Sequence, residues 1–115
     1  MNWYVAKLVF RVISGSGDHN AQFDEQLRLI NAETEQQAFE KASTIGHANQ
    51  DSFINVQKQT VKWQFIDVAE LNVLGDLTDG AELYYNIHEA PDPDLYIAWA
   101  HHKSALLGVK KLNLT

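Results

Sequence analysis

The chain has 115 residues, of which 15 are acidic and 9 are basic, giving a formal net charge of -6, and it contains no cysteine. This length predicts a single domain over 1–115, with a core in 1–108 and a tail at 109–115. The lack of cysteine excludes disulfides, thiolate metal sites and cysteine nucleophiles. The negative charge repels phosphate backbones, so we expect no nucleic-acid partner.

No stretch approaches the roughly 18 consecutive apolar residues that a membrane-spanning helix needs. The N-terminal residues also lack the charged, apolar and small-residue segments of a signal peptide, because Lys7 and Arg11 interrupt the first apolar run. We therefore expect a cytoplasmic protein with no membrane partner.

The N-terminal segment predicts a β-hairpin. Residues 3–13 are rich in β-branched and aromatic side chains, and alternate positions are expected to face the core: Tyr4, Ala6, Leu8, Phe10 and Val12. Lys7 and Arg11 mark the solvent-facing side of the strand. This side also carries apolar residues, so a second layer or another subunit is expected to cover it partly. Residues 14–20 form the turn. The second strand, 23–31, places three apolar side chains on one side: Phe23, Leu27 and Leu29.

A short amphipathic helix of about three turns follows the hairpin. Thr34 and Gln37 have the spacing of a capping box, and Gly46 is expected to end the helix. A brief extended piece at 53–56 comes next.

The stretch 61–74 is predicted to be the central strand of the sheet. Trp63 and Phe65 alternate with polar residues, as in a strand with one buried side. Ile66 continues the apolar series one position out of step, so the strand contains a bulge or changes to burial on both sides.

The C-terminal part predicts one more strand and one more helix. Residues 81–87 alternate apolar and polar side chains after a turn at 75–80. Asp92 can cap a helix from Pro93 to about residue 107, which Gly108 would end. The order β-β-α-β-β-β-α predicts an α+β two-layer sandwich, a mainly antiparallel sheet of about five strands with two helices packed on it.

Two groups of side chains are candidates for function. The first comprises carboxylates and a histidine that could act in acid-base chemistry: Asp67, Asp76, Asp79, Glu82 and His88. Asp67 interrupts an apolar run, so it must be paired, capping or exposed. The second comprises Trp and Tyr side chains, which are enriched at protein interfaces: Trp3, Tyr84, Tyr96 and Trp99.

We assign no catalytic residue, metal site or cofactor from the sequence. His101 and His102 are adjacent, so on a helix they point about 100° apart and cannot address one ion together. The Gly15-Ser16-Gly17 loop is too short to match a phosphate-binding motif.

Several segments in order resemble a family of small bacterial proteins known as domain of unknown function 4288: WYVAKLVF, QFDEQLRLI, AFEKASTIG, VKWQFIDVAEL and DGAELYYNI. The resemblance covers about Asn2 to Lys103. It implies that these segments form one unit in a bacterial host, and it supplies no activity, ligand or catalytic residue.

Two functional hypotheses remain open. The first is a non-catalytic protein-interaction module, acidic and able to self-associate, whose partner is a protein or a second copy of the chain. The second is an enzyme or small-ligand-binding protein that uses the carboxylate and histidine group, which requires that at least two of these residues converge on a concave pocket.

Overall fold

The computed structural model describes the backbone of residues 1–114 and the side chains of residues 1–108. Length alone predicts a single domain, whereas contacts divide the chain into two compact units, Met1–Tyr85 and Asn86–Thr115. The side chains of the predicted tail, 109–115, lie outside the described residues. The two units are described separately below.

The first unit contains an antiparallel sheet of four strands: β1 (Asn2–Ser14), β2 (Gln22–Ala32), β3 (Asp51–Ile54) and β4 (Thr60–Val73). Their spatial order is β2-β1-β4-β3, so β1 and β4 are interior strands and β2 and β3 are edge strands. The predicted β1–β2 hairpin and the antiparallel arrangement are both confirmed.

The predicted fifth strand at 81–87 is wrong, because these residues form no regular secondary structure. Two of them, Leu83 and Tyr84, contact a face of the sheet through their side chains and do not pair with an edge strand. Leu83 and Val5 line the same cavity, and the Tyr84 hydroxyl accepts a hydrogen bond from Lys7. Alternation in a sequence indicates a possible strand, but a strand forms only where its backbone groups pair with a neighbouring strand, and these residues make no such pairing.

The core lies between the sheet and helix α1 (Glu35–Ala48). Four of the five predicted inward positions of β1 are confirmed, since they belong to the buried cluster together with Phe65: Tyr4, Ala6, Leu8 and Phe10. Val12, the fifth, is half-buried and lies outside this cluster. Helix α1 contributes its small side chains to this cluster: Ala38 and Ala42. We call the helix-covered side of the sheet the inner face and the opposite side the outer face.

The predicted cap at Thr34 is confirmed, while the return bond of the capping box reaches Glu33, one residue before the cap. Gln37 N–H donates to Thr34 Oγ1 at 3.1 Å, and Glu33 N–H donates to Gln37 Oε1 at 2.7 Å. The predicted end at Gly46 is wrong, because the helix continues to Ala48 and is capped at Asn49. Gly46 instead lies against Phe65, where a side chain would have no room: an added Cβ would stand 2.3 Å from the ring atom Cε1.

Strand β4 contains the predicted bulge. Phe65 pairs with Phe10 and Asp67 pairs with Val9, so Ile66 is the extra residue, and a second irregularity leaves out Ala69. The bulges keep Phe65 on the inner face although the apolar series changes step at Ile66. The predicted interior position of this strand is confirmed, because β4 lies between β1 and β3 and buries Val61 and Phe65.

The second unit contains helix α2 (Pro93–Leu114). Its start is as predicted, because Leu95 N–H donates to Asp92 Oδ1 at 3.1 Å. The predicted stop at Gly108 is wrong, since one glycine lowers helix propensity without ending a helix. The helical layer of the first unit is formed by α1. Within the described residues, neither helix has the length and hydropathy to cross a bilayer.

Candidate interaction surface

Strand β2 exposes its apolar side and turns its polar side toward the helix layer. Phe23, Leu27 and Leu29 are 58%, 51% and 58% exposed on the outer face. The sequence predicts that these three side chains share a side, which is correct. The alternation of apolar and polar residues in β2 does not tell which side of the strand is covered. The register with β1 decides which side it is, because Tyr4 pairs with Ile30 and both lie in the core.

The polar side chains of β2 satisfy one another on the inner face. Gln26 Nε2 donates to Asp24 Oδ2 at 2.6 Å, and an Arg28 guanidinium nitrogen donates to Gln26 Oε1 at 2.7 Å. The Trp63 indole N–H donates to Asp24 Oδ2 at 3.1 Å across the sheet. This row supplies partners for polar groups that are partly removed from water, and so offsets their desolvation.

Residues 74–85, which we call the covering segment, lie on part of the outer face. The segment starts with Leu74 N–H donating to the Trp3 carbonyl at 2.7 Å. Its leucines and those of the sheet enclose a cavity of about 260 Å³, lined by Val5, Leu27, Arg28, Leu29, Leu74, Leu77 and Leu83. The expectation that this side of β1 is partly covered is therefore met within the chain, and Val5 is buried.

Lys7 fixes the far end of the covering segment. Its ammonium donates to the Tyr84 hydroxyl at 2.8 Å and lies 4.8 Å from the centre of the Tyr84 ring. Glu70 and Glu25 are 3.5 and 3.9 Å from the same nitrogen. The hydrogen bond to Tyr84 raises the pKa of Lys7, with the two carboxylates acting in the same direction and partial burial opposing them.

The position of Lys7 differs from the sequence expectation of a solvent-facing cation. Its side chain is only 16% exposed. The aliphatic stem crosses the outer face between Val5 and Val9, while the charged end reaches Tyr84 and Glu70. The sequence gives no signal for this contact, since Lys7 and Tyr84 are 77 positions apart.

The four aromatic residues of the predicted interaction surface fall into different units. Trp3 is 43% exposed on the outer face, and Tyr84 is half-buried against Lys7. In the second unit, the ring centres of Tyr96 and Trp99 are 5.5 Å apart, and both side chains are exposed. Tyr96 and Trp99 also line a cavity of about 550 Å³ with Pro91 and Leu95.

The four carboxylates of the predicted polar group make no hydrogen bond with one another among the described side chains. Asp67 Oδ1 accepts from the Val68 N–H at 2.7 Å, a local backbone contact at the β4 bulge. Asp76, Asp79 and Glu82 are exposed in the covering segment. His88 belongs to the second unit, where its ring packs edge-on against Tyr96 at 5.2 Å. In the described part of the chain, no three His, Asp or Glu side chains are placed to hold a metal ion.

Comparison with known proteins identifies the first unit. A family model described as Domain of unknown function (DUF4288) matches residues 3–85. No curated protein and no solved structure matches the chain. The match ends at Tyr85, where the first compact unit also ends, so the sequence resemblance, which extends to Lys103, reaches too far. The chain thus belongs to the DUF4288 family, through the unit built of β1 to β4 and α1.

Proposed function

We propose that this protein is a non-catalytic interaction module that associates with a second copy of itself along β2, through the free edge of this strand and the apolar side chains beside it on the outer face. The observation that carries the proposal is the exposure of Phe23, Leu27 and Leu29 in one row on an edge strand. Exposed apolar side chains gathered on one face are typical of an association site, and here Glu25 is the one charged residue among them. An exposed edge strand with such a row also favours pairing with another chain.

The charges along β2 favour a second copy over a strongly charged partner. The chain as a whole is acidic, with a net charge of -6. Strand β2 nevertheless carries both signs, with Asp24 and Glu25 near one end and Arg28 near the other. A surface with both signs can complement its own copy in an antiparallel arrangement, as a two-fold interface requires.

The cellular location that we propose is the cytoplasm of a bacterium. A chain without cysteine is compatible with a reducing compartment because it has no disulfide to form. Trp3 extends the apolar outer face beside Asn31, its partner on β2, and we include it at the margin of the proposed contact.

No contact among the described residues supports the alternative of an enzyme that uses Asp67 or His88.

The oligomeric state tests the proposal directly. Light scattering and sedimentation over a range of concentrations should show dimers of the 115-residue chain, and Leu29→Lys should weaken the dimer by about tenfold or more, because it places a desolvated charge in the contact. The matched control is Ile54→Lys. Ile54 is 71% exposed on β3, the opposite edge strand, so this change should leave the dimer unaffected.

Two results would contradict the proposal. One is a monomer at all concentrations up to roughly 1 mM, since weaker association than this is hard to assign to a specific contact. The other is equal weakening by Leu29→Lys and Ile54→Lys, which would show that the added charge acts without regard to its place on the sheet.

A further inference from the structure

We propose that two copies pair antiparallel along the free edges of β2, with a two-fold axis at Gln26, so that Asp24 of each copy faces Arg28 of the other. This inference rests on the proposed self-association and specifies its register. Each copy would extend the four-stranded sheet of the other, giving one continuous sheet of eight strands with both α1 helices on its inner face.

The hydrogen bonds show which backbone groups of β2 face its free edge. Leu74 N–H donates to the Trp3 carbonyl, so the odd-numbered residues of β1 direct their backbone groups toward β4. The even-numbered residues of β1 therefore face β2, and they pair with even-numbered residues such as Ile30. The odd-numbered residues of β2 consequently face the free edge. Lys41 confirms this, since its ammonium donates to the Asn31 carbonyl at 2.6 Å.

Antiparallel pairing requires edge-facing residues of one strand to lie opposite edge-facing residues of the other. For two copies of β2, this restricts the registers to those in which odd-numbered residues meet odd-numbered residues. The two-fold axis then passes beside one residue of β2, which lies opposite the same residue of the other copy. Near the middle of β2, the choices are Glu25, Gln26, Leu27 and Arg28.

Charge complementarity selects among these four registers. An axis at Glu25 places two like carboxylates opposite each other, and an axis at Arg28 places two guanidinium groups opposite each other, both of which are unfavourable. An axis at Leu27 requires the Asn31 carbonyl, which Lys41 already occupies. An axis at Gln26 pairs residues 22–30, ends before Asn31, and sets Asp24 opposite Arg28 twice.

The same register also complements the apolar side chains of the outer face. Phe23 of each copy lies opposite Leu29 of the other, beside the cavity of about 260 Å³ that Leu27, Leu29 and the covering segment line. Glu25 lies opposite Leu27 and keeps its position 3.9 Å from Lys7. Asp24 and Arg28 form non-hydrogen-bonded pairs, in which side chains of antiparallel strands approach most closely.

The test is a disulfide across the two-fold axis in the full chain. The protein has no cysteine, so Gln26→Cys introduces a single thiol. At a non-hydrogen-bonded pair, the two Cβ atoms are about 4.5–5.5 Å apart, close to the separation that a disulfide needs. Under mild oxidation, we expect most of the Gln26→Cys protein to become a covalent dimer on a non-reducing gel.

Gln22→Cys is the matched control, because the same residue type is replaced on the same side of β2. In the proposed register, Gln22 lies opposite Ile30, so the two thiols stand eight residues apart, roughly 27 Å at 3.4 Å per residue. We expect only background cross-linking from Gln22→Cys. As a second measurement that leaves Gln26 in place, an equal mixture of Asp24→Cys and Arg28→Cys proteins should form mixed dimers in excess over both like pairs, as read by mass spectrometry.

The outcomes separate this inference from the proposed function. A wild-type dimer in which Gln26→Cys cross-links no better than Gln22→Cys, or in which the mixed dimers are not in excess, overturns the register and leaves self-association intact. A wild-type monomer at every concentration overturns both. Cross-linking at Gln26 and mixed dimers between Asp24→Cys and Arg28→Cys support the register.

Discussion

At the scale of single residues, Lys7 holds the most connected polar position in the first unit. Its ammonium contacts a phenol hydroxyl, the face of the same ring and two carboxylates, while its stem lies on the outer face of the sheet. These contacts favour the charged form of Lys7 over the neutral form. The charged form of Lys7 is therefore the form that holds the covering segment on the sheet through Tyr84.

Tyr84→Phe should therefore lower the pKa of Lys7 toward its ordinary value, because the hydrogen bond to the phenol is the largest cause that raises it. An NMR titration of the Lys7 side chain measures this. The control is Tyr85→Phe, since Tyr85 is 70% exposed. An unchanged pKa of Lys7 in Tyr84→Phe would contradict the assigned hydrogen bond.

The sign of the pH dependence follows from the direction of the shift. The pKa of Lys7 is raised in the folded state, so its contribution to stability is fully present below the pKa of the unfolded chain. That contribution is lost as the pH rises through the folded pKa. The stability difference between the wild type and Tyr84→Phe should accordingly narrow at strongly alkaline pH.

At the scale of elements, the approach of α1 to β4 depends on one glycine. Gly46 faces the Phe65 ring, which packs at 5.5 Å from Phe10 and 4.9 Å from the ring of His47. The bulge at Ile66 lets β4 present Phe65 at this point while the following residues continue in the sheet. The close packing of α1 on β4 therefore depends on the absence of a side chain at Gly46 and on the extra residue Ile66 in β4.

Gly46→Ala should destabilise the fold by about 1–3 kcal/mol, because the new methyl group would overlap a buried ring and force the helix or the ring to move. Helix propensity alone predicts the opposite, a gain of about 1 kcal/mol. Urea unfolding of Gly46→Ala and of the exposed control Thr44→Ala distinguishes the two effects. A Gly46→Ala protein as stable as the wild type, or more stable, would refute the close contact.

At the scale of the whole molecule, the family match and the compact units agree on one boundary. The matched residues are 3–85 and the first unit is Met1–Tyr85. All the buried apolar residues of the described chain lie between Tyr4 and Leu74. A unit that holds its own hydrophobic core is expected to fold without the rest of the chain.

The fragment 1–85 should thus fold by itself, with a cooperative thermal transition and dispersed amide resonances like those of the same residues in the full chain. Its control is a fragment ending at residue 72, which removes Leu74 and the covering segment and should expose Val5. Loss of cooperative unfolding in the fragment 1–85 would show that its core is incomplete.

Local patterns in the sequence were sufficient for several features of the fold. The inward positions of β1, the cap at Thr34, the bulge at Ile66 and the cap at Asp92 each depend on a few neighbouring residues. Segments spread over the chain also indicated the family. These signals are readable because periodicity and capping act over distances of one to four residues.

The tertiary structure alone decided the features that involve distant partners. Alternation placed Phe23, Leu27 and Leu29 on one side of β2, but pairing with β1 determined that this side is exposed. The alternation at 81–87 looked equally strand-like, yet these residues form no strand, and Leu83 and Tyr84 contact a face of the sheet instead. A sequence fixes which side chains share a side, whereas burial depends on what packs there, and this is why the candidate surface emerged only from the fold.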